Sequence, residues 1–357
     1  MASTEAAGRR DALVERLFGA TLGAMDVLAV YMGTRLGLYK ALAGRGASSS
    51  EELAAETGLN ERYVREWLEQ QATTGILEVD EDRRFTLPAG HDEALLDETS
   101  LSYIAPVGKF VVACVRPIDE VLAAYRSGEG VPYAHYGADL HEGQAEFTRP
   151  MFEHLLGSEW FPGIPDVHER LNADPPARVA DVACGQGFST MAIARAYPKA
   201  LVDGIDSDHA SIEAAQANAA GSGLEDRVTF HERDAADAGL QGRYDLVYMH
   251  ESLHDMSYPV EVLRACRGLL GEKGTVVVGD ERVGDSFPAL GDDVERLYYG
   301  FSVLHCLPVG MVGDGAAGTG TVMRADTVRK YGEEAGFAGF EVLPIENDLY
   351  RFYRLTP

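Results

Sequence analysis

From residue 177 onward the sequence switches regularly between short apolar runs and helix-length amphipathic ones. RVADVA, ALVDGID, RVTFHERD, YDLVYM and GTVVVGD read as strands. FSTMAIARAY, HASIEAAQANAAG and PVEVLRACRGLL between them read as helices. Strands joined by helix-length crossovers imply a parallel sheet, since parallel neighbours cannot be joined by a tight turn. Near-continuous apolar strands are covered on both faces, and the crossovers wind right-handed. A further helix, ADTVRKYGEEAG, precedes FEVLPI and LYRFYRL, whose short END link implies an antiparallel pair at the sheet edge.

The first ninety or so residues follow different rules. AMDVLAVYMGTRLGLYKALA has apolar residues at helical spacing and stops at Gly44 and Gly46. Ser50 is placed to cap the next helix, and Asn60 the one after. ILEV and FTLP flank the turn DEDRR as a hairpin, giving helix, turn, helix and wing. Such a module can read DNA. Here Arg62, Arg65, Arg83 and Arg84 face Glu61, Glu66, Glu69, Glu78, Asp80, Glu81 and Asp82, a poor footprint for a polyanion. Packing or dimerisation is the better expectation. The whole chain carries 31 basic and 57 acidic residues, net −26, which repels phosphate backbones and anionic membranes. No apolar run approaches the roughly 20 residues of a membrane span. Cys114, Cys184, Cys266 and Cys306 lie far apart in sequence, so a reduced, cytoplasmic setting is expected.

Two stretches carry chemistry. The first strand after 177 runs into Asp181-Val182-Ala183-Cys184-Gly185-Gln186-Gly187, whose small residues permit a sharp turn and close approach of a ligand to the backbone. Asp206 ends the second strand, 21 positions after Gly185, where a carboxylate can grip ribose hydroxyls. A nicotinamide dinucleotide site would want a third glycine, and position 190 is Thr190. The second stretch is His250-Glu251-Ser252-Leu253-His254, which matches the H-E-x-x-H pattern of zinc proteases. That pattern needs a long helix, yet this one directly follows a strand and is cut off by Pro259. Glu272 and Glu281 are the downstream candidates for a third zinc ligand.

DVACGQG, GIDSD, RDAAD, YDLVYMHESLHDM and LLGEKGTVVVGDE, in this order and spacing, resemble the motifs of class I S-adenosylmethionine-dependent methyltransferases. With the N-terminal module, the chain resembles the small-molecule O-methyltransferases, which dimerise through that module. The resemblance implies an α/β fold: a doubly wound, Rossmann-like, mostly parallel seven-stranded sheet with an antiparallel last strand, plus a mainly α winged-helix domain. It implies a dimerisation domain over 1–95, a helical connector over 96–172 and a methyltransferase domain over 173–357 with a lid-like insertion at 282–322. S-adenosyl-L-methionine would be the cofactor and S-adenosyl-L-homocysteine its product, with no metal. Asp181, Ala183, Gly185, Gly187, Asp206, Asp234, Ala235 and His250 would surround the cofactor. Ala183 departs from the glycine that many members have there. His254 would be the general base, with Asp280 or Glu281 orienting its ring. An imidazole is tuned to take a hydroxyl proton near neutral pH.

The acceptor would lie between the connector and the insertion. Tyr136, Met151, Phe152, Tyr298, Phe301 and His305 are its candidate contacts, and aromatic walls suit a flat apolar molecule. The Gly-rich stretch 313–321 follows no strand, which argues for a lid rather than a phosphate loop. The partners expected are a small-molecule acceptor and a second copy of the chain, with neither nucleic acid nor membrane. Four functions are distinguished at this point: transfer to a hydroxyl, transfer to carbon or nitrogen by proximity alone, a DNA-binding regulator, and a zinc protease.

Overall fold

A computed structural model describes residues 2–234 and 244–357. The chain divides into two compact units. The first holds residues 1–112 and 142–147. Its helices are α1 (Ala2–Arg35), α2 (Leu38–Arg45), α3 (Ser50–Thr57) and α4 (Glu61–Thr73), followed by strands β1 (Glu78–Val79) and β2 (Phe85–Thr86). The single helix expected through residue 43 is broken at Gly37, whose φ of 68° is left-handed and cannot continue a helix. The cap of α3 is Ser49 rather than Ser50. From Ser49 the reciprocal bonds with Glu52 form, its hydroxyl taking the Glu52 N–H while the Glu52 carboxylate takes the Ser49 N–H. Asn60 caps α4 as expected.

β1 and β2 pair antiparallel, as a wing should. Leu38, Tyr39, Leu42, Leu53, Val64, Trp67, Leu68 and Phe85 form this unit's core. The four arginines of helix and wing are all ion-paired inside the module: Arg62 with Glu66, Arg65 with Glu61, Arg83 with Glu69 and Arg84 with Glu52. Phosphates would have to compete with those carboxylates. On α1, Leu13, Val14, Leu17, Phe18, Leu22 and Met25 are all more than half exposed, an apolar stripe along the helix.

The second unit holds residues 113–141 and 148–357. Its strands are β3 (Arg178–Val182), β4 (Leu201–Asp206), β5 (Val228–Glu232), β6 (Tyr244–His250), β7 (Leu270–Glu281), β8 (Gly339–Val342) and β9 (Tyr350–Thr356). They form one seven-stranded sheet in the order β5-β4-β3-β6-β7-β9-β8. β3 to β7 are parallel, while β9 lies antiparallel to both β7 and β8. The antiparallel pair therefore does occupy the edge, with β9 slotted inside β8. Separate apolar clusters cover the two faces, one around Ile193, Leu246 and Val277, the other around Val247, Leu263 and Val278. The strand order reverses between β3 and β6, and ligands of open α/β sheets bind outside the carboxyl ends of strands at such a switch. The loop after β3 and the turn after β6, the two stretches singled out above, both lie there.

Candidate active site

Beyond β3 the backbone turns through Ala183, Gly185 and Gly187, all with positive φ (58°, 51° and 79°). Ala183 thus holds the left-handed conformation in spite of its methyl group, at a strain of roughly 1–2 kcal/mol. Gly187 has no such freedom to lose: a Cβ there would sit 2.6 Å from the Phe230 ring. Asp206 pins the loop from β4. Its two carboxylate oxygens accept the N–H groups of Gly185 (2.8 Å) and Asp208 (2.9 Å). Each oxygen keeps a further lone pair for a ligand. Asp181 is buried and accepts from the Ser189 and Thr190 hydroxyls, both at 2.6 Å, which ties β3 to helix Phe188–Ala196. Burial pushes its carboxyl up to about 6.

A cleft of about 480 Å³ opens beside this loop. It is lined by Ala183, Asp206 and Asp234 among the residues expected at the cofactor, together with Ile205, Met256, Tyr258, Val262 and Gly313. Ala235 lies outside the described residues. Asp181 stays behind the cleft as a strut. The cofactor side of the site therefore has a carboxylate at each of two strand ends and an apolar floor between them.

β6 ends at His250, and the chain then leaves the strand abruptly. Glu251 takes a φ of 51°, and its N–H is held by the Gly279 carbonyl at 2.8 Å. Leu253–Asp255 is one short turn, and Pro259 opens the next helix. The two histidines therefore share no helical face. His250 is packed in an aromatic cage, stacked on Trp160 (centroids 5.2 Å apart) and edge-on to Phe152 and Tyr350, with Nδ1 at the Tyr248 hydroxyl (2.8 Å). Burial lowers it to about 3, so it is neutral. A zinc site spanning both histidines, with Glu281 as third ligand, is not assembled: Glu281 reaches His254 only.

His254 is equally buried, yet differs in its partners. Its Nδ1 lies 2.9 Å from Asp280 Oδ1 and 2.9 Å from Glu281 Oε2, the last two residues of β7. Burial alone would push the imidazole down; the neighbouring carboxyl groups of Glu281 and Asp280 outweigh it and hold the ring well above 6.5. Burial would likewise raise Asp280, but the His254 charge keeps it ionised. Glu281 is pushed up by burial and by Asp280, and so carries a proton. One imidazolium, one carboxylate and one neutral acid thus share a dry site. These three side chains also form the group of donors among the described residues that could hold a cation. Glu251, whose carboxylate accepts the Tyr350 hydroxyl at 3.3 Å, is raised by burial to about 7, and Asp255 to about 6.

The expected acceptor contacts fall into groups. Tyr136 and His305 meet edge-on with centroids 4.5 Å apart, and the Tyr136 hydroxyl bonds the Leu304 carbonyl. Tyr298 is buried and donates to the Leu349 carbonyl, and its electrostatic neighbours are Glu281, Glu251, Asp280 and His254. Phe152 belongs to the cage of His250, and Met151 packs against the same core cluster as Phe152. Phe301 is half-buried at the end of helix Asp293–Phe301. Cys306 has a place at the site that the sequence does not mark: its thiol is the Nδ1 partner of His305 at 3.3 Å, and it feels the charge of His254. Nothing in the spacing of HCLP points to a thiol there. Arg149, ion-paired with Glu153 at 3.0 Å and with its guanidinium 5.0 Å from the Phe188 ring centroid, lies next to the glycine loop.

Residues 173–334 match the family described as "Methyltransferase domain", and residues 22–97 the "Rv2258c-like winged HTH domain". Among curated proteins, a tRNA1(Val) (adenine(37)-N6)-methyltransferase of Porphyromonas gingivalis is 33% identical over 89 residues, 22% of this chain and 35% of that protein. The chain therefore spans little of that relative's length. A 3-amino-4-hydroxybenzoate 4-O-methyltransferase of Streptomyces cremeus is 26% identical over 287 residues, 78% of this chain and 74% of that one. Among solved structures, human N-acetylserotonin methyltransferase in complex with its methyl donor superposes with a TM-score of 0.70 at 15% identity, covering 96% of this chain and 97% of that one.

Proposed function

We propose that this chain, which belongs to the S-adenosylmethionine-dependent methyltransferases, methylates a hydroxyl of a small aromatic molecule with His254 as general base. The observation that carries the reading is the pair of carboxyl groups, both at the end of β7, on one ring nitrogen of a buried histidine two residues before Met256 of the cleft wall. The cleft fits the cofactor chemically: its volume lies within the usual range for small-ligand sites, Asp206 offers lone pairs to a diol, and beside Asp206, Asp234 and Arg233 the wall is apolar at Ile205, Met256 and Val262. When bound, S-adenosylmethionine supplies an electrophilic methyl group on a sulfonium.

Asp181, Ala183, Gly185 and Gly187 form the turn toward the methionine end, and Arg149 offers a cation for its carboxylate. Asp206 takes the ribose, and Asp234 with Ala235 the adenine. His250 packs behind the site and fixes the turn after β6. His254 takes the acceptor's proton on Nε2 while Asp280 and Glu281 hold Nδ1. A ring held above 6.5 is a stronger base than a free imidazole and better matched to a hydroxyl of pKa near 10. The cost is that less of the protein is in the neutral, active form at pH 7. Tyr136, Met151, Phe152, Tyr298, Phe301 and His305 wall the acceptor.

A homodimer joined through the exposed stripe of α1 completes the reading. The four cysteines are free and buried, which suits the reducing cytoplasm, and no helix among the described residues is long and apolar enough to cross a membrane. No metal takes part. Replacing His254 by Ala tests the base: turnover should fall by on the order of 10²–10⁴ with affinity for S-adenosylhomocysteine intact. Unchanged turnover would move the reading to carbon or nitrogen acceptors that need only proximity.

A further inference from the structure

His305 stands in a π-helical turn, Ser302–Cys306, a local widening of a helix that recurs at functional sites. The turn is tied down from several sides. The Tyr136 hydroxyl bonds the Leu304 carbonyl, and the Ser302 hydroxyl accepts the Thr321 N–H. The His305 ring is wedged between Tyr136 and Tyr133, and Tyr133 in turn rests against His141. It is only 6% exposed. Nδ1 faces the Cys306 thiol, whereas Nε2 is buried with no hydrogen-bond partner among the described residues. A buried ring nitrogen without a partner is costly, and a protein of this size keeps few of them. The ring is positioned by everything around it, yet its far nitrogen meets no partner among the described residues.

The ring stands on the base's side of the fold: the helix that continues its turn, Leu307–Gly310, packs against Leu253–Asp255, the turn that carries His254. The Cys306 thiol lies 3.3 Å from His305 Nδ1, and the charge of His254 is felt by both residues. Burial, reinforced by the charge of His254, drives His305 down to about 3, so it meets a ligand uncharged. A thiol is a weak donor and a weak acceptor. It therefore fixes neither tautomer, and Nε2 is able to donate or to accept. The surroundings disfavour an anion: Glu251, Asp255, Asp280 and Glu281 all crowd His254.

We propose that Nε2 of His305 hydrogen-bonds a second, uncharged oxygen on the acceptor, so that the preferred substrates are hydroxyarenes bearing a further hydroxyl or carbonyl and no carboxylate beside it. The inference rests on the reading of the site as one for a hydroxylated aromatic. His305 is a specificity-determining residue, and its effect belongs in binding rather than in the proton transfer at His254.

The test uses the full chain saturated with S-adenosylhomocysteine. Phenol, the three dihydroxybenzenes and 4-hydroxybenzoate are titrated by calorimetry into wild type, His305→Phe and His305→Gln. At least one dihydroxybenzene should bind wild type tenfold or more tighter than phenol, with 4-hydroxybenzoate no tighter than phenol. His305→Phe should abolish the preference, and His305→Gln, which keeps an amide near Nε2, should restore part of it. Binding of S-adenosylhomocysteine by each variant reports an intact fold. No preference in wild type, a preference for the benzoate, or one that survives in His305→Phe overturns the proposal. Methyl transfer is measured separately with the same compounds. A His305-dependent binding preference without turnover sinks the base reading and leaves this one standing. Turnover indifferent to His305, in KM as in kcat, does the reverse.

Discussion

Replacing Asp280 by Asn and Glu281 by Gln, singly and together, tests how the protein makes a base. Three histidines of the second unit serve as mutual references, since His250, His254 and His305 are all nearly fully buried. The two without a carboxylate at a ring nitrogen fall to about 3. The one with two carboxylates stays above 6.5. Burial lowers His250 and His305 by roughly 3.5 pKa units from 6.5, on the order of 5 kcal/mol at 1.36 kcal/mol per unit, and in His254 the two carboxyl groups more than offset it. Only one of the two carboxyls is ionised beside the imidazolium, so each can stand in for the other. In Asp280→Asn, the repulsion that kept Glu281 protonated is gone, and Glu281 ionises beside the same nitrogen. Glu281→Gln leaves Asp280 ionised as before. Each single variant should therefore shift the ring by less than about one unit. The double variant leaves the imidazole with burial opposed only by the weaker influence of Glu251, Asp255 and Cys306, and the ring should fall below its wild-type value. The effects are grossly non-additive, as for groups sharing one partner.

The assay is initial-rate formation of S-adenosylhomocysteine across the pH range in which the fold persists. His254 must be neutral to act, so activity rises with pH through its pKa. In wild type the acidic limb of kcat/KM should lie above 6.5. The single variants should nearly keep it. The double variant should move the limb to lower pH and also lose on the order of 10²–10⁴ on the plateau, because a weaker base transfers the proton less well. A limb that moves as far in either single variant as in the double one would refute the shared-proton argument. A limb that no variant moves would remove His254 from the chemistry.

Other perturbations reach the remaining parts of the site. Asp206→Ala should weaken S-adenosylhomocysteine binding by about 1.5–3 kcal/mol, roughly 10–100-fold, measured by calorimetry. Gly187→Ala adds a Cβ against Phe230 at a φ of 79°, and should cost about 1–3 kcal/mol in chemical denaturation; an unchanged midpoint would mean the loop relaxes freely. Exhaustive treatment with EDTA should leave turnover unaltered, whereas a loss restored by added zinc would turn His254, Asp280 and Glu281 into metal ligands. Charging the α1 stripe with Leu17→Glu and Phe18→Glu should convert a dimer to a monomer by light scattering; a wild type that is already monomeric removes the dimer from the reading.

The contrast between His250 and His254 shows what a sequence reveals and what only packing decides. The alternation after residue 177 was enough for the sheet, because parallel strands covered on both faces leave a continuous apolar signature that nothing else in a soluble chain imitates. The glycine loop and Asp206 were legible for a related reason: backbone sterics demand small residues there, and the strand period places the acid at a strand end. Asp280 and Glu281 could be named as alternatives, but their joint use could not. Adjacent strand residues ordinarily point to opposite faces, and only at the very end of β7 do both reach one nitrogen. The break at Gly37 and the cap at Ser49 turned on local choices between neighbouring residues that propensity barely separates. The exposed stripe on α1 escaped because charges interrupt that stretch, and a face that stays open within one chain lacks the clean polar side that marks an ordinary surface helix. The π-helical turn escaped for a deeper reason. It costs energy locally and is upheld by distant bonds, Tyr136 to Leu304 and Thr321 to Ser302, that no window of sequence contains. Features sustained against local preference are where function concentrates. The H-E-x-x-H match misled for the same physical reason in reverse. Its pattern presumes a helix, whereas Glu251 at a left-handed φ and Pro259 replace that helix by a turn. One histidine is thereby sent into the core and the other to the carboxylates, so that a single five-residue stretch supplies both a neutral strut and a strengthened base.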